Sequence, residues 1–296
     1  MDELKPLELN DRHLFNDYLL ADPPEVSELT FTNLFMWRNR YYPMWTTHDN
    51  CLLVVLTPEN SPPFGLQPVG PGDKARALDH LFRLIGRMAP AASVRRAEAR
   101  FVGSYVDSER YDPVPDRDNS DYVYLARDLI DLKGNKFHRK RNHVYKFLKS
   151  YDFEYKTLDE DLIQCFLNLQ EDWCELKDCL ENPDLFDENL AVYEALVHYE
   201  ELRFQGGAIL IDSKVEAFSL GERLNPETAV IHIEKANPAI PGLYAAINQL
   251  FCKHSWGDMK YVNREQDLGL DGLRQAKMSY NPHHLVEKFT LTSRGA

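Results

Sequence analysis

Residues 261–282 read YVNREQDLGLDGLRQAKMSYNP, and the reading of this stretch orders the rest of the chain. A short strand over 259–262 passes into a loop at Gly269, and a helix begins near Leu270. Asn263, Arg264, Glu265, Asp267, Asp271, Arg274 and Lys277 bring charges of both signs together here. On a helix Leu270, Leu273 and Lys277 follow 3-4 spacing, and Asp267, Asp271, Arg274 and Met278 line the neighbouring stripe. Arg274 and Lys277 therefore share a turn and can aim at one ligand. The plain alternative is a surface helix whose Asp271–Arg274 pair adds about 0.2–0.5 kcal/mol. Spacing alone leaves both open.

Three strands, 207–211, 215–222 and 229–236, precede this stretch as an antiparallel meander joined by DSK and by the RLNPET turn, and an amphipathic helix over 242–256 follows them. Barring a bulge, alternation puts Val230, His232 and Glu234 on one side of the last strand and Ile231, Ile233 and Lys235 on the other. Glu234 is the leading candidate for a base or for gripping a substrate amine, with Asp267 and Glu265 behind it. Its plain alternative is an ion pair with Arg264 or Lys235. Arg264, Arg274, Lys277 and Lys235 are candidates for phosphate or carboxylate, and Asn263 for donation to a carbonyl. His232 reads as a packed residue with a partner rather than a catalyst.

The body of the chain is acidic, with net charge −13 over 296 residues. Between Lys133 and Lys149, however, seven Lys or Arg occur without an acid, leaving 27 basic against 47 acidic residues elsewhere. This segment reads as a helix over about 134–150, with Phe137, Val144, Tyr145 and Leu148 on one face. Lys136, Arg139, Lys140 and Arg141 are its densest cluster and suit contact with an RNA phosphate backbone. A solvated face explains the run equally well.

Further upstream, helices are expected over 11–20, from Ser27 or Thr30 until the pattern fails around Tyr42-Pro43, and over 73–88. A hairpin is expected at 44–47 and 52–56, with a strand at 64–69. Residues 93–106 suit helix or strand, and 106–121, VDSERYDPVPDRDNSD, reads as a polar, flexible loop. Between the long helix at 160–176 and the next at 188–202, LKDCLENPDLFDEN reads as a polar connection. Both halves show a helices, hairpin, helix order, which suggests a tandem pair.

Composition is globular, with 44% apolar residues and 11% aromatics. No stretch approaches the ~18 apolar residues of a membrane helix. The acidic start, MDELKPLELND, lacks a secretory pattern. The five cysteines read as reduced thiols, and the Cys174/Cys179 pair without a second pair is a poor zinc signal. The expectation is a cytoplasmic protein without a metal.

AFSLGERL (217–224), HIEKAN (232–237), GLYAAINQLF (242–251), LKGNKFHRKRNHVYKF (132–147) and the opening stretch resemble the catalytic C-terminal domain of bacterial phosphatidylglycerol lysyltransferases and their soluble relatives. The resemblance spans most of 122–296. It implies an α+β chain of two tandem GNAT-like (acyl-CoA N-acyltransferase) domains, each a mixed, mainly antiparallel sheet flanked by helices, similar to Fem-type enzymes. The boundaries expected are 1–131 and 132–296, the second carrying the cleft. The implied reaction is transfer of an aminoacyl group from aminoacyl-tRNA, as donor co-substrate, to an amine or hydroxyl of a small-molecule, peptide or lipid acceptor. Two departures bear on it. The large membrane portion of the lipid enzymes is missing, which argues against a lipid acceptor. The junction ANPAIPGLYAAIN offers Gly242 for an anion at a helix N-terminus, but lacks the Gln/Arg-x-x-Gly-x-Gly/Ala loop that holds coenzyme A, and Pro238 and Pro241 remove two donors. Coenzyme A is therefore disfavoured. An acyl-coenzyme A N-acyltransferase and a non-catalytic RNA- or anion-binding module remain the alternatives.

Overall fold

A computed structural model describes residues 4–176 and 183–294. The chain divides into two compact units, one of Met1–Asp121, Gln266–Leu270 and Leu285–Ala296, the other of Tyr122–Glu265 and Asp271–His284.

In the first unit β1 (Lys5–Pro6) is followed by α1 (Arg12–Ala21), α2 (Phe31–Met36) and α3 (Arg38–Tyr41), then by β2 (Met44–His48), β3 (Cys51–Leu56) and β4 (Phe64–Gly65). Thr30 caps α2 by accepting from the Asn33 amide at 3.0 Å. The long amphipathic α4 (Lys74–Met88), capped by Asp73, lays Leu78, Leu81 and Ile85 on Leu53, Val55 and Val94. The ambiguous segment resolves as β5 (Ser93–Glu98) followed by α5 (Ala99–Tyr105). The expected flexible loop at 106–121 is instead mostly β6 (Tyr111–Leu125), half-exposed over its polar part and buried from Ser120 to Tyr124. Its Asp, Asn and Pro residues imitate turn chemistry because much of this strand faces water.

The second unit continues with α6 (Ala126–Asp131), α7 (His138–Ser150), β7 (Glu154–Thr157), α8 (Glu160–Leu176), α9 (Pro183–Val197) and α10 (Tyr199–Leu202). The polar connection is thus helical from Pro183, and the rest of it lies outside the described residues. Then come β8 (Gln205–Ile211), β9 (Lys214–Arg223), β10 (Thr228–Ala236), α11 (Leu243–Ser255), β11 (Tyr261–Asn263) and α12 (Asp271–Met278). The order is β11-β10-β9-β8-β7, with the end of β6 pairing antiparallel to β11. All pairs are antiparallel except β10 with β11, which run parallel across the α11 crossover. Phe147 of α7 and Leu243, Ala246 and Ile247 of α11 cover one face at Ile209, Ala217 and Ala236.

The last strand, β12 (His284–Ser293), belongs mostly to the first unit, where it lies between β5 and β6 and pairs antiparallel with β5. Its Lys288, fully buried, bonds Glu28 at 2.6 Å and Asp121 at 2.6 Å. Burial disfavours the charge, but the two carboxylates hold the ammonium's pKa above its ordinary value.

The mixed α+β architecture, mainly antiparallel with flanking helices, agrees with the fold expected. Cys51, Cys165 and Cys252 are free thiols. Cys174 departs from the expected reduced state and is disulfide-bonded.

Candidate active site

β10 and β11 pair over only Thr228–Val230 and Tyr261–Asn263. Beyond this β10 runs on to Ala236, while the other chain turns off: Asn263 Oδ1 accepts the Glu265 amide at 2.7 Å and Glu265 adopts φ 56°. Parallel strands that separate at their carboxyl ends leave a crevice beside exposed strand ends, the usual ligand position in sheets with such crossovers.

Charged side chains fill this crevice. Arg264 Nη2 donates to Glu234 Oε1 at 2.8 Å, and Asn248 Nδ2, from α11, donates to Glu234 Oε2 at 2.9 Å. The Arg264 guanidinium lies 4.7 Å from the Tyr280 ring centre and 5.7 Å from that of Tyr124. Although burial disfavours its charge, Glu234 and the neighbouring tyrosines hold its pKa up. Tyr280 is pushed up to about 12 by burial, against the pull of Arg264, and Cys252 is likewise pushed up to about 12. Both stay protonated at neutral pH.

Strand β10 carries a bulge between Ile231 and Ile233, so His232 is the extra residue and simple alternation resumes only after it. The His232 ring lies between Glu222, 3.0 Å from Nε2, and Glu265, 2.8 Å from Nδ1. Burial opposes protonation, yet these two hydrogen bonds and charges raise its pKa to about 10, so both ring nitrogens donate. His232 is a structural imidazolium that ties β9, β10 and the segment after β11 together.

The opening stretch is divided. Lys277 donates to the backbone carbonyls of Arg264 and Glu265, and Tyr124 Oη donates to the Lys277 carbonyl at 2.8 Å, so α12 fastens the segment that carries Arg264. Arg274 is half-buried one turn earlier, whereas Leu273 and Met278 are exposed. The apolar stripe of this helix thus faces outward and its cations inward. Asp267 belongs to the first unit, fully buried, where it accepts from Gly269 N at 2.9 Å and from Arg117 at 3.3 Å. Lys235 points away from Glu234, as alternation requires, and bonds Glu188 at 2.8 Å under Trp173. Gly242 begins α11 at φ 87° where α7 crosses; a Cβ there would lie 2.3 Å from the His143 carbonyl oxygen.

The basic helix is less available than its composition suggests. Lys136 pairs with Asp128 at 3.0 Å, and Arg141 donates to the carbonyls of Leu132 and Gly134. Arg139, Lys146 and Lys149 are exposed with Tyr145 between them, while Phe137 and Phe147 are core. Lys140 turns inward, its Nζ 4.0 Å from the Tyr280 ring centre. Reading the sequence left out Asn248, Tyr124 and Tyr280. Asn248 carried a signal, as a polar residue on the α11 stripe that buries Ala245 and Cys252. Among the described residues no group of three or more His, Cys, Asp or Glu could hold a metal ion.

The mainly antiparallel sheet with one splayed parallel pair, flanked by helices, is a fold that this chain shares with a Fem-type protein. FemX superposes with a TM-score of 0.60 at 10% identity, covering 97% of this chain and 96% of that one. The chain belongs to the family described as phosphatidylglycerol lysyltransferase, C-terminal, which matches residues 23–292. L-PGS from Bacillus licheniformis superposes with a TM-score of 0.68 at 11% identity, over 97% of this chain and 93% of that one. A conserved protein of unknown function from Bacteroides thetaiotaomicron is 33% identical with a TM-score of 0.93, over 99% of this chain and 100% of that one. An uncharacterized Mycoplasmoides gallisepticum protein is 24% identical over 183 residues, which are 58% of this chain and only 55% of that protein. No helix among the described residues is long and apolar enough to cross a membrane.

Proposed function

We propose that this protein transfers an aminoacyl group from aminoacyl-tRNA to an amine or hydroxyl acceptor, with the second unit holding the reacting atoms. The observation that carries this reading is the Glu234–Arg264–Asn248 cluster in the crevice between β10 and β11, within a chain of the lysyltransferase C-terminal family. The acceptor attacks the ester carbonyl, the new C–N or C–O bond forms, and the bond to the ribose oxygen breaks. The proton lost by the acceptor ends on that oxygen. Each Glu234 oxygen already accepts one hydrogen bond and keeps a lone pair for the substrate ammonium. No covalent enzyme intermediate is needed. Arg139, Lys146 and Lys149 on α7 supply a cationic face for the tRNA backbone.

Coenzyme A fits less well. Its pyrophosphate would need the N-terminus of α11, where Pro238 and Pro241 lack amide donors and the Leu243 amide already donates to the Ile240 carbonyl. Incubation of the pure protein with a mixed charged-tRNA pool and candidate acceptors tests the reading. Loss of the ester with formation of an aminoacylated product is expected, reduced about a hundredfold or more by Glu234→Gln and by Arg264→Ala. Ester loss equal to that of buffer, or unaffected by both substitutions, sinks it.

A further inference from the structure

The transfer site holds more positive charge than it neutralises. Lys140 and Arg264 both approach the Tyr280 ring, at 4.0 and 4.7 Å from its centre, and Glu234 is the carboxylate bonded to Arg264. Among the described residues Lys140 ends in no ion pair. Two buried polar atoms are also unsatisfied: Arg264 Nη1, a donor, and Asn248 Oδ1, an acceptor on a side chain with no solvent exposure. The Tyr280 hydroxyl lies near the guanidinium without forming a hydrogen bond of proper geometry to Nη1. Flipping the Asn248 amide would set its oxygen against the Glu234 carboxylate, so its orientation is fixed by chemistry. Buried polar groups left in this way are costly unless a ligand completes them.

What completes them must accept from Arg264 and Lys140 and donate to Asn248. We propose that Lys140, Arg264 and Asn248 seat the reacting end of the substrate, with an oxyanion against the two cations and an N–H donor against the Asn248 oxygen. In an aminoacyl ester these are the carbonyl oxygen as it becomes tetrahedral and the α-ammonium beside it. Lys140 is then a catalytic residue of the transfer site rather than a backbone contact of α7. On attack the carbonyl electron pair moves to the oxygen held by Lys140 and Arg264 Nη1; on collapse it returns and the ribose oxygen leaves with the acceptor's proton. This inference rests on the transfer reading above. The surroundings of Lys140 support it: burial, then Arg264, and more weakly Arg139, lower its pKa to about 8, while Glu234 opposes them. Tyr280, the other group against it, stays neutral. An oxyanion in this seat restores the full charge of the ammonium.

The test compares, by titration calorimetry, the amides of alanine, serine and lysine with the matching 1-aminoalkylphosphonate monomethyl esters, planar and neutral against tetrahedral and anionic. For at least one side chain the phosphonate should bind tenfold or more tighter than the amide. Lys140→Met, its fold checked by thermal melting, should remove most of that preference, while Lys140→Arg retains it. Wild-type phosphonate affinity should fall more steeply as pH rises from 7 to 9 than that of Lys140→Arg, which keeps only the fall due to the ligand's own amine. No preference for the phosphonates, binding of neither series, or a preference untouched by Lys140→Met overturns the inference. A Lys140-dependent preference without transfer from charged tRNA refutes the transfer reading alone; transfer at wild-type kcat in Lys140→Met refutes this one alone.

Discussion

Lys277 donates its ammonium protons to the backbone carbonyls of Arg264 and Glu265. Its contribution is positional, because it fixes the segment whose side chain grips Glu234. Lys277→Met is therefore expected to lower kcat/KM for transfer about ten- to a hundredfold, and stability by about 1–3 kcal/mol for the unsatisfied carbonyls. Single-turnover transfer and thermal melting measured side by side separate the two effects. A normal kcat/KM would show that Arg264 holds its place unaided.

His232 makes stability depend on alkaline pH. Its folded pKa of about 10 lies above the ordinary 6.5, so the imidazolium's contribution is complete below about 6.5 and is lost as pH rises towards 10. His232→Gln, which leaves Glu222 and Glu265 facing each other near neutrality, should cost about 3–5 kcal/mol. Its melting temperature should also lose the decline that wild type shows between pH 7 and 10. Parallel melting curves for the two proteins across that range would contradict the assignment.

Gly242 serves the packing of α7 on α11. A methyl group there meets the His143 carbonyl oxygen at 2.3 Å and forces an L residue to a left-handed φ of 87°. Gly242→Ala should cost about 1–3 kcal/mol in denaturant unfolding. Gly272→Ala, whose Cβ would meet nothing within 4 Å, serves as the control.

The exposed cations of α7 differ from its engaged ones. Charge reversal at Arg139, Lys146 and Lys149 should weaken tRNA binding and reduce the slope of log K against log salt by about two to three. Lys136→Ala, whose ammonium is already paired with Asp128, should change that slope little. Equal effects from both sets would mean that the composition of the run matters and its geometry does not.

Periodicity showed most of the second unit. The 3.6 spacing of GLYAAINQLF and the alternation through HIEKAN mark α11 and β10 close to their observed ends. The ion pair of Glu234 with Arg264, the plain alternative for that carboxylate, is real and belongs to the proposed site as well. What the linear text hid had three causes. β6 buries only part of its length, so its Asp and Pro residues read as a loop. The Lys288–Glu28–Asp121 cluster joins residues up to 260 positions apart, beyond the reach of any local pattern. The bulge at His232 is a third case, because one extra residue in β10 leaves no mark in the alternation of residue types.

The return of 285–294 to the first unit has a consequence for biosynthesis. On the ribosome Glu28 and Asp121 emerge long before Lys288, so their carboxylates wait in water until residue 288 has followed them. The second unit, complete by His284, can close first, and the N-terminal half is finished last, against the usual vectorial order.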